Sequence, residues 1–482
     1  MGAPLRLRLL WAALAVALGA ALYMAALAVA NDRFSALLAG GLLAAVFSLC
    51  LGPLQFSPLS PFLLYLSVFA LFHLGMALPW ALGLTGRHLP WWFLTSRLTP
   101  SLGLIVLALA SYLAGALGAR RRPRRSAEPE PAYSNEFLFG CGLAVYLAGG
   151  VMFALGVESL GGARFFEAGY GETYRLAAEF DPRFFGTSFT VVPIGLYLAA
   201  ASFPRRRLGL VIALALAWVG GIFFLGFRGF ALIPGLVVLA LLRRRGHRAP
   251  AWVNVALLLV VLGAIPLARA VRDRGVSQRS LDHFWTEVRP LDGIIEMGGS
   301  LRPLVHTLRY MQTEPWRWGR TYWQSLSTVW PNLAGRWQGA RYIPLEELPP
   351  NHWLTAQAEP DMYRHYGGLG FSAVAEPYMN FGVPGVIVYF WALGALLAAA
   401  GEFRSAHPAP LAAWAMVLGP LLWTTRNSFE IFFRPAAWGL GVVWAARFAA
   451  GLAGRKAGQR PAGWARNLRR PGRGFYAAVD RQ

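Results

Sequence analysis

Apolar residues in this chain collect in long unbroken runs instead of alternating with polar ones. Runs of about 18–22 residues can cross a bilayer as helices, and their continuity argues against a barrel, whose strands alternate. Roughly twelve such runs are legible. They lie near residues 9–30, 34–52, 60–84, 102–118, 137–157, 186–203, 208–226, 229–242, 251–268, 383–400, 409–424 and 435–453. The pattern predicts an all-α, polytopic transmembrane helical bundle. Spans 1–9 occupy residues 1–268 and spans 10–12 occupy 383–453. Between them, 269–382 forms a large loop subdomain, and 454–482 is a basic tail. The run at 229–242 contains Pro234, tolerated in a span where neighbours satisfy the freed carbonyl.

Composition agrees. The chain is 56% hydrophobic and 14% charged, against roughly 25% charged residues in an average soluble domain. Charge placement then orients the bundle. Arg120-Arg-Arg-Pro-Arg-Arg125, Arg205–Arg207, the 243–248 cluster and the tail all fall in alternate gaps. Such gaps face the cytoplasm, so both termini are expected there and the long loop is expected outside. With the N-terminus and the gap near 401–408 included, the side so assigned holds more than half of the 45 Lys and Arg but only a few of the 23 Asp and Glu. The net charge of +22 is therefore mainly a topology signal. The clusters abut span ends, which points to anionic lipid and not to nucleic acid.

Ala28-Val-Ala30 has the small-residue spacing of a cleavage site, but the run before it, about 20 residues, exceeds the usual 7–15 of a signal sequence. An uncleaved first span is expected. Cys50 and Cys141 sit in predicted spans, too few and too far apart for a disulfide framework or a metal site.

The loop carries the candidate chemistry. Leu281, Trp285, Val288, Ile294 and Ile295, then Leu301, Leu304, Val305 and Leu308, mark two amphipathic stretches, fit to cap the spans or lie on the membrane surface. Trp316, Trp318, Tyr322, Trp323, Trp330, Trp337 and Trp353 follow closely. Tryptophan favours the membrane interface; aromatic faces also pack on sugar rings, and both readings stand. Arg228 occupies a very short turn between two spans, where an arginine is costly without a partner or a watery cavity. Arg269, Arg272 and Arg274 leave the ninth span at the same surface, and Arg426 and Arg434 bracket the last outer turn. Guanidinium groups grip phosphate oxygens as a two-pronged fork and keep their charge. Arginines from three turns are thus expected to converge on one diphosphate. Candidate bases are His352, Glu359, Asp361, His365, Glu376 and Glu430. No nucleotide-binding, zinc-protease or nucleophile-elbow motif is present. The carboxylates are scattered, and no metal and no cofactor are expected.

The stretch Gly367-Gly-Leu-Gly-Phe-Ser-Ala-Val-Ala-Glu-Pro-Tyr-Met-Asn-Phe-Gly-Val-Pro-Gly385 resembles the region before a late span in oligosaccharide repeat-unit polymerases of the O-antigen (Wzy-type) family. Gly319-Arg-Thr-Tyr322, Leu326, Trp330-Pro331, the Phe227-Arg-Gly229 turn and the Arg426–Arg434 turn are similar to the same family, over roughly residues 220–435. The resemblance implies a bundle similar to the membrane-embedded glycosyltransferases of the GT-C type, in the bacterial inner membrane. It implies transfer of a growing glycan from undecaprenyl diphosphate to a sugar hydroxyl of a new lipid-linked unit, on the periplasmic face. Arg228, Arg269, Arg272, Arg426 and Arg434 would hold the diphosphate. His365 or Glu376 would accept the proton, and Trp323, Trp330 and Tyr378 would hold sugars. Partners implied are the lipid-linked oligosaccharide, membrane lipids and a chain-length regulator protein. The alternatives are an O-antigen ligase, a flippase or transporter, and a structural assembly factor.

Overall fold

The structure is a computed structural model. It describes residues 5–85, 89–119, 132–162, 165, 183–225, 227–247, 291–330, 345–364, 368–401 and 407–456. Among these residues there are helices and no strand. Among the described residues seven helices are long and apolar enough to cross a membrane, and the protein is an all-α polytopic membrane protein. The first are α1 (Leu5–Val29) and α2 (Asp32–Leu51), joined where Asn31 caps α2 by accepting the Phe34 amide. Then come α3 (Pro61–Leu74), α4 (Ala77–Ala81), α5 (Leu98–Gly118) and α6 (Ala132–Ser159). They are followed by α7 (Arg183–Ser202), α8 (Leu208–Phe224) and α9 (Arg228–Arg244). The expected span at 251–268, with Arg269 and Arg272 beyond it, lies outside the described residues.

The expected span at 60–84 is broken. Its first part, α3, starts on a Ser60 cap and ends at Gly75. A side chain at Gly75 would lie 2.6 Å from the Ile294 carbonyl. A loop segment packs closely there, where α3 ends after 14 residues; Pro79, four residues past Gly75, leaves the Gly75 carbonyl without its helical donor. That segment forms α10 (Asp292–Met297) and α11 (Leu301–Tyr310), then α12 (Arg320–Ser327), α13 (Pro350–Ala358) and α14 (Pro360–Arg364). The second amphipathic stretch is the buried side of α11: Leu301, Leu304, Val305 and Leu308 all join the core.

The chain returns through α15 (Ala375–Gly401), α16 (Pro408–Trp423) and α17 (Glu430–Lys456). Within α15, Gly382 takes φ +65°, ψ −153°, which kinks the helix where the loop meets the span. Only glycine adopts that backbone at little cost.

Small residues set the packing, as lipid-embedded helices favour. Gly142, Gly149 and Gly156, seven apart, let α6 lie on α7 at Ala199, Val192 and Phe185. Helix α5 is almost wholly buried between α1, α2 and α15. Gly394 of α15 meets it so closely that a Cβ would sit 2.0 Å from the Tyr112 carbonyl oxygen. Gly394→Val is therefore expected to cost about 1–3 kcal/mol or more by overpacking, read as a lower melting temperature in detergent. Leu14, Leu18, Leu147, Val151, Trp444 and Phe448 remain exposed on outer faces, a surface that suits lipid.

Among the described residues, arginines beside the arginine-rich gaps sit at helix ends and hold neighbouring carbonyls or carboxylates. Arg8 donates to the Ala119 carbonyl, Arg206 pairs with Glu136 at 2.6 Å, and Arg245 donates to the carbonyls of Ala201 and Phe203. Cys50 and Cys141 are both free thiols.

Candidate functional site

Three stretches that are far apart in sequence meet beside the kink of α15. The first is the turn Gly319-Arg-Thr-Tyr322, the second is the start of α15, and the third is the turn between α16 and α17. Glu376 lies in the first turn of α15 and is only 3% exposed. One of its carboxylate oxygens accepts the Thr321 hydroxyl at 2.9 Å, and the other accepts the Phe429 amide at 2.6 Å. Among the described residues no cation pairs with it. An ionised carboxylate in such a place is held by hydrogen bonds alone, a costly arrangement that function often retains.

Neighbouring contacts fix that carboxylate in place. Asn380 donates from Nδ2 to the Thr321 hydroxyl (2.7 Å) and to the Glu376 backbone carbonyl (2.9 Å). Its Oδ1 accepts the Gly319 amide at 2.8 Å. The amides of Arg317 and Trp318 donate to the carbonyls of Met379 and Asn380. Gly319 itself takes φ +84°, which a residue with a side chain rarely adopts. On the other flank, Phe371 donates to the Arg426 carbonyl at 2.8 Å. Gly370 (φ +72°) lies so close that a Cβ there would approach the same oxygen to 2.9 Å.

The start of α15 has a second support. Ser372 Oγ accepts the amides of Val374 and Ala375, in the manner of a helix cap. The hydroxyl also meets His73 Nε2 at 2.8 Å. Since His73 Nδ1 faces the Phe69 carbonyl, Nδ1 carries the proton and Nε2 accepts from Ser372. This buried Ser–His pair positions the helix that carries Glu376.

Arg228 opens α9, is 4% exposed, and pairs with Glu296 of α10 at 2.9 Å. Its neighbour Gly229 lies against the Trp423 ring, where a Cβ would approach to 1.8 Å. Trp423 ends the helix that leads into Arg426. The Arg426 guanidinium sits 5.7 Å from the centre of the Phe72 ring, near the Gly75 junction that α10 presses upon. Two of the expected phosphate-binding arginines thus approach one junction from different turns. Arg434 takes another path: its Nε donates to the Thr328 carbonyl at 2.7 Å, over the Trp438 ring. It stands with His352 in the electrostatic surroundings of Glu430, and Glu430 in those of Glu376.

Of the candidate bases, then, Glu376, Glu430 and His352 share one neighbourhood. Glu359 instead pairs with Arg302, and Asp361 with Arg364 at the surface. His365 lies outside the described residues. Tyr378 points away from Glu376 and meets the Trp316 ring edge-on at 5.6 Å. Trp323 and Trp330, each 76% exposed, occupy the face of α12 and its continuation opposite to Thr321. Thr321 and Asn380, which bear directly on Glu376, were given no role from sequence. Their only signal was membership of the Gly319–Tyr322 and Gly367–Gly385 stretches.

Beside this site, α7, α9, α16 and α17 surround an apolar crevice of about 80 Å³. Each contributes an internal proline: Pro193, Pro234, Pro420 and Pro435. Proline removes a backbone hydrogen bond and bends a helix, which hinders close packing. Gly229, next to Arg228, lines the crevice.

His306 of α11 is neutral. Burial first, then the charges of Arg302 and Arg309, push its pKa from 6.5 down to about 4. Arg302 Nε donates to its Nε2 at 3.2 Å, which places the ring proton on Nδ1. The unfolded chain takes up a proton that this folded site refuses, so stability is lost as pH falls from 6.5 towards 4. His306→Gln should flatten that decline in a series of melting curves across this pH range.

These features define a polytopic membrane protein with a buried polar site where its loop meets the bundle. The model of the family described as O-antigen polysaccharide polymerase Wzy matches residues 13–445, nearly the whole chain, and the protein belongs to that family. It is also 23% identical over 247 residues to Protein CapE of Staphylococcus aureus. That match covers 50% of this chain and 51% of CapE, so the chain spans about half the length of the curated relative it matches. No solved structure matches the chain.

Proposed function

We propose that the protein polymerises polysaccharide repeat units carried on undecaprenyl diphosphate, at the membrane face opposite its arginine clusters. On the positive-inside rule that face is the periplasmic side of a bacterial inner membrane, with both termini cytoplasmic. The observation that carries the reading is the buried Glu376 carboxylate, hydrogen-bonded by Thr321 and Phe429, close to the turn that bears Arg426.

In the proposed reaction a sugar hydroxyl of the incoming unit gives its proton to Glu376, with His365 as the other candidate. The hydroxyl oxygen forms a bond to the anomeric carbon of the growing chain. The bond from that carbon to the diphosphate oxygen breaks, and its electron pair leaves with the lipid diphosphate. Arg228 and Arg426, with Arg269, Arg272 and Arg434, offset the charge that develops there. The donor diphosphate supplies the driving force, so the step needs neither nucleotide nor metal. The apolar crevice beside Gly229 has the chemistry to seat part of the prenyl chain. Tyr378 is a candidate sugar contact, as are Trp323 and Trp330, and a chain-length regulator is a further candidate partner.

The test is direct. Purified protein is supplied with undecaprenyl diphosphate-linked repeat units, and in a parallel reaction with a lipid-linked preformed glycan and lipid A core, and the products are resolved by size. A ladder of increasing length supports the reading. Transfer of a preformed glycan to lipid A core, with no ladder, would instead mark a ligase.

A further inference from the structure

Helix α12 is built inside out for a water-soluble protein. Thr321 and Ser325, one turn apart, are buried against the site, and Thr328 continues that row. The outward face carries Trp323, Leu326 and Trp330, exposed to 76%, 42% and 76%, with Arg320 and Ser327 along its polar edge. Amphipathic helices at a water boundary place these residue types the other way round. An outward face of indole and leucine suits an environment that is itself partly apolar.

Helix α15 indicates what that environment is. Its exposed side chains, Phe381, Val388, Trp391 and Leu396, recur at helical spacing from the kink down the membrane span. This stripe suits lipid. At its upper end the Trp318 ring lies 6.4 Å from the Phe381 ring and nearly perpendicular to it. Gly319 also abuts Phe381. The aromatic face of the 318–330 segment therefore continues that surface. Trp438 of α17, which donates to the Val329 carbonyl at 3.0 Å, ties the far end of the segment to a second membrane helix.

We propose that residues 318–330 form an in-plane membrane anchor, with Trp318, Trp323 and Trp330 set in the boundary between lipid headgroups and acyl chains. This goes beyond the catalytic reading and assigns Trp323 and Trp330 to lipid instead of sugar. The anchor is coupled to the site through the Trp318 amide on the Asn380 carbonyl and the Gly319 amide on Asn380 Oδ1. It thereby fixes the depth of Thr321 and Glu376 at the membrane surface, where a lipid-borne reactant presents its diphosphate.

Nitroxide labels at W323C and W330C, in a full-length C50A/C141A protein reconstituted in lipid nanodiscs, test this. The proposal expects collisions with oxygen to exceed those with a water-soluble nickel chelate at both positions. Dominance of the nickel chelate at both would overturn it and leave a water-facing aromatic platform for sugars. If the cysteine variants do not fold, the fluorescence difference between the wild-type protein and W323F/W330F serves instead. Brominated acyl chains should quench that difference and aqueous iodide should not, and the reverse result rejects the anchor. Neither readout depends on polymerase activity.

Discussion

Glu376→Gln should make no glycan ladder from lipid-linked repeat units, although the purified protein remains folded. Glutamine keeps the shape: its one carbonyl oxygen can still accept the Phe429 amide while its NH2 group donates to the Thr321 hydroxyl oxygen, but it cannot take a proton from a sugar hydroxyl. Loss of a positioned base costs about 10²–10⁴ in rate, enough to abolish visible polymer in the time the wild type needs for a full ladder. Thr321→Val separates base from support. It removes the 2.9 Å hydrogen bond to the carboxylate and the acceptor for Asn380, so it should slow polymerisation without abolishing it. Wild-type ladders from Glu376→Gln would end the assignment of Glu376 as base and transfer it to His365.

Arginine substitutions should have the second-largest effect. Arg426→Ala removes one guanidinium from the junction. By analogy with donors to a developing oxyanion, it should lower turnover by about 10²–10³. Arg228 needs more care, because it is buried and paired with Glu296 at 2.9 Å. Breaking a buried pair on one side destabilises by about 3–5 kcal/mol, so Arg228→Ala alone confounds folding with chemistry. The double variant R228A/E296A should recover most of the melting temperature and none of the activity. Full activity in the double variant would make Arg228 a structural cation, with no part in gripping the diphosphate.

Much of this molecule is legible from its residues in order. The continuous apolar runs translate into helices because a chain in lipid must satisfy its own backbone. The gaps rich in arginine predict a polarised bundle, and in the structure Arg8, Arg206 and Arg245 sit at helix ends with their partners. The Gly142, Gly149 and Gly156 register is visible too, once seven-residue spacing is read as one helix face. The break after Leu74 has a local signal in Gly75 and in Pro79, which cannot donate to the Gly75 carbonyl; what sequence does not show is that the Ile294 carbonyl, more than two hundred residues later, packs against Gly75.

Candidate bases divide in the same way. Six residues had suitable chemistry, and the family resemblance set His365 and Glu376 ahead of Glu359 without a physical reason for the choice. The structure gives Glu359 a guanidinium partner in Arg302 and leaves Glu376 held by Thr321 and Phe429 alone among the described residues. The aromatic cluster was ambiguous because indole suits both sugar rings and lipid headgroups. The outward direction of Trp323 and Trp330 on α12 and its continuation is what favours lipid in the anchor proposed above.

Residue order by itself determined a helical membrane bundle and the short stretches on which the family likeness rests. Those are properties of local composition, set by the solvent a segment prefers. Tertiary structure decided that Thr321, Glu376, Asn380 and Phe429 form one network and that Arg228 and Arg426 approach one junction. Such contacts join turns that lie tens to hundreds of residues apart, and close packing of the helices brings them within hydrogen-bonding reach.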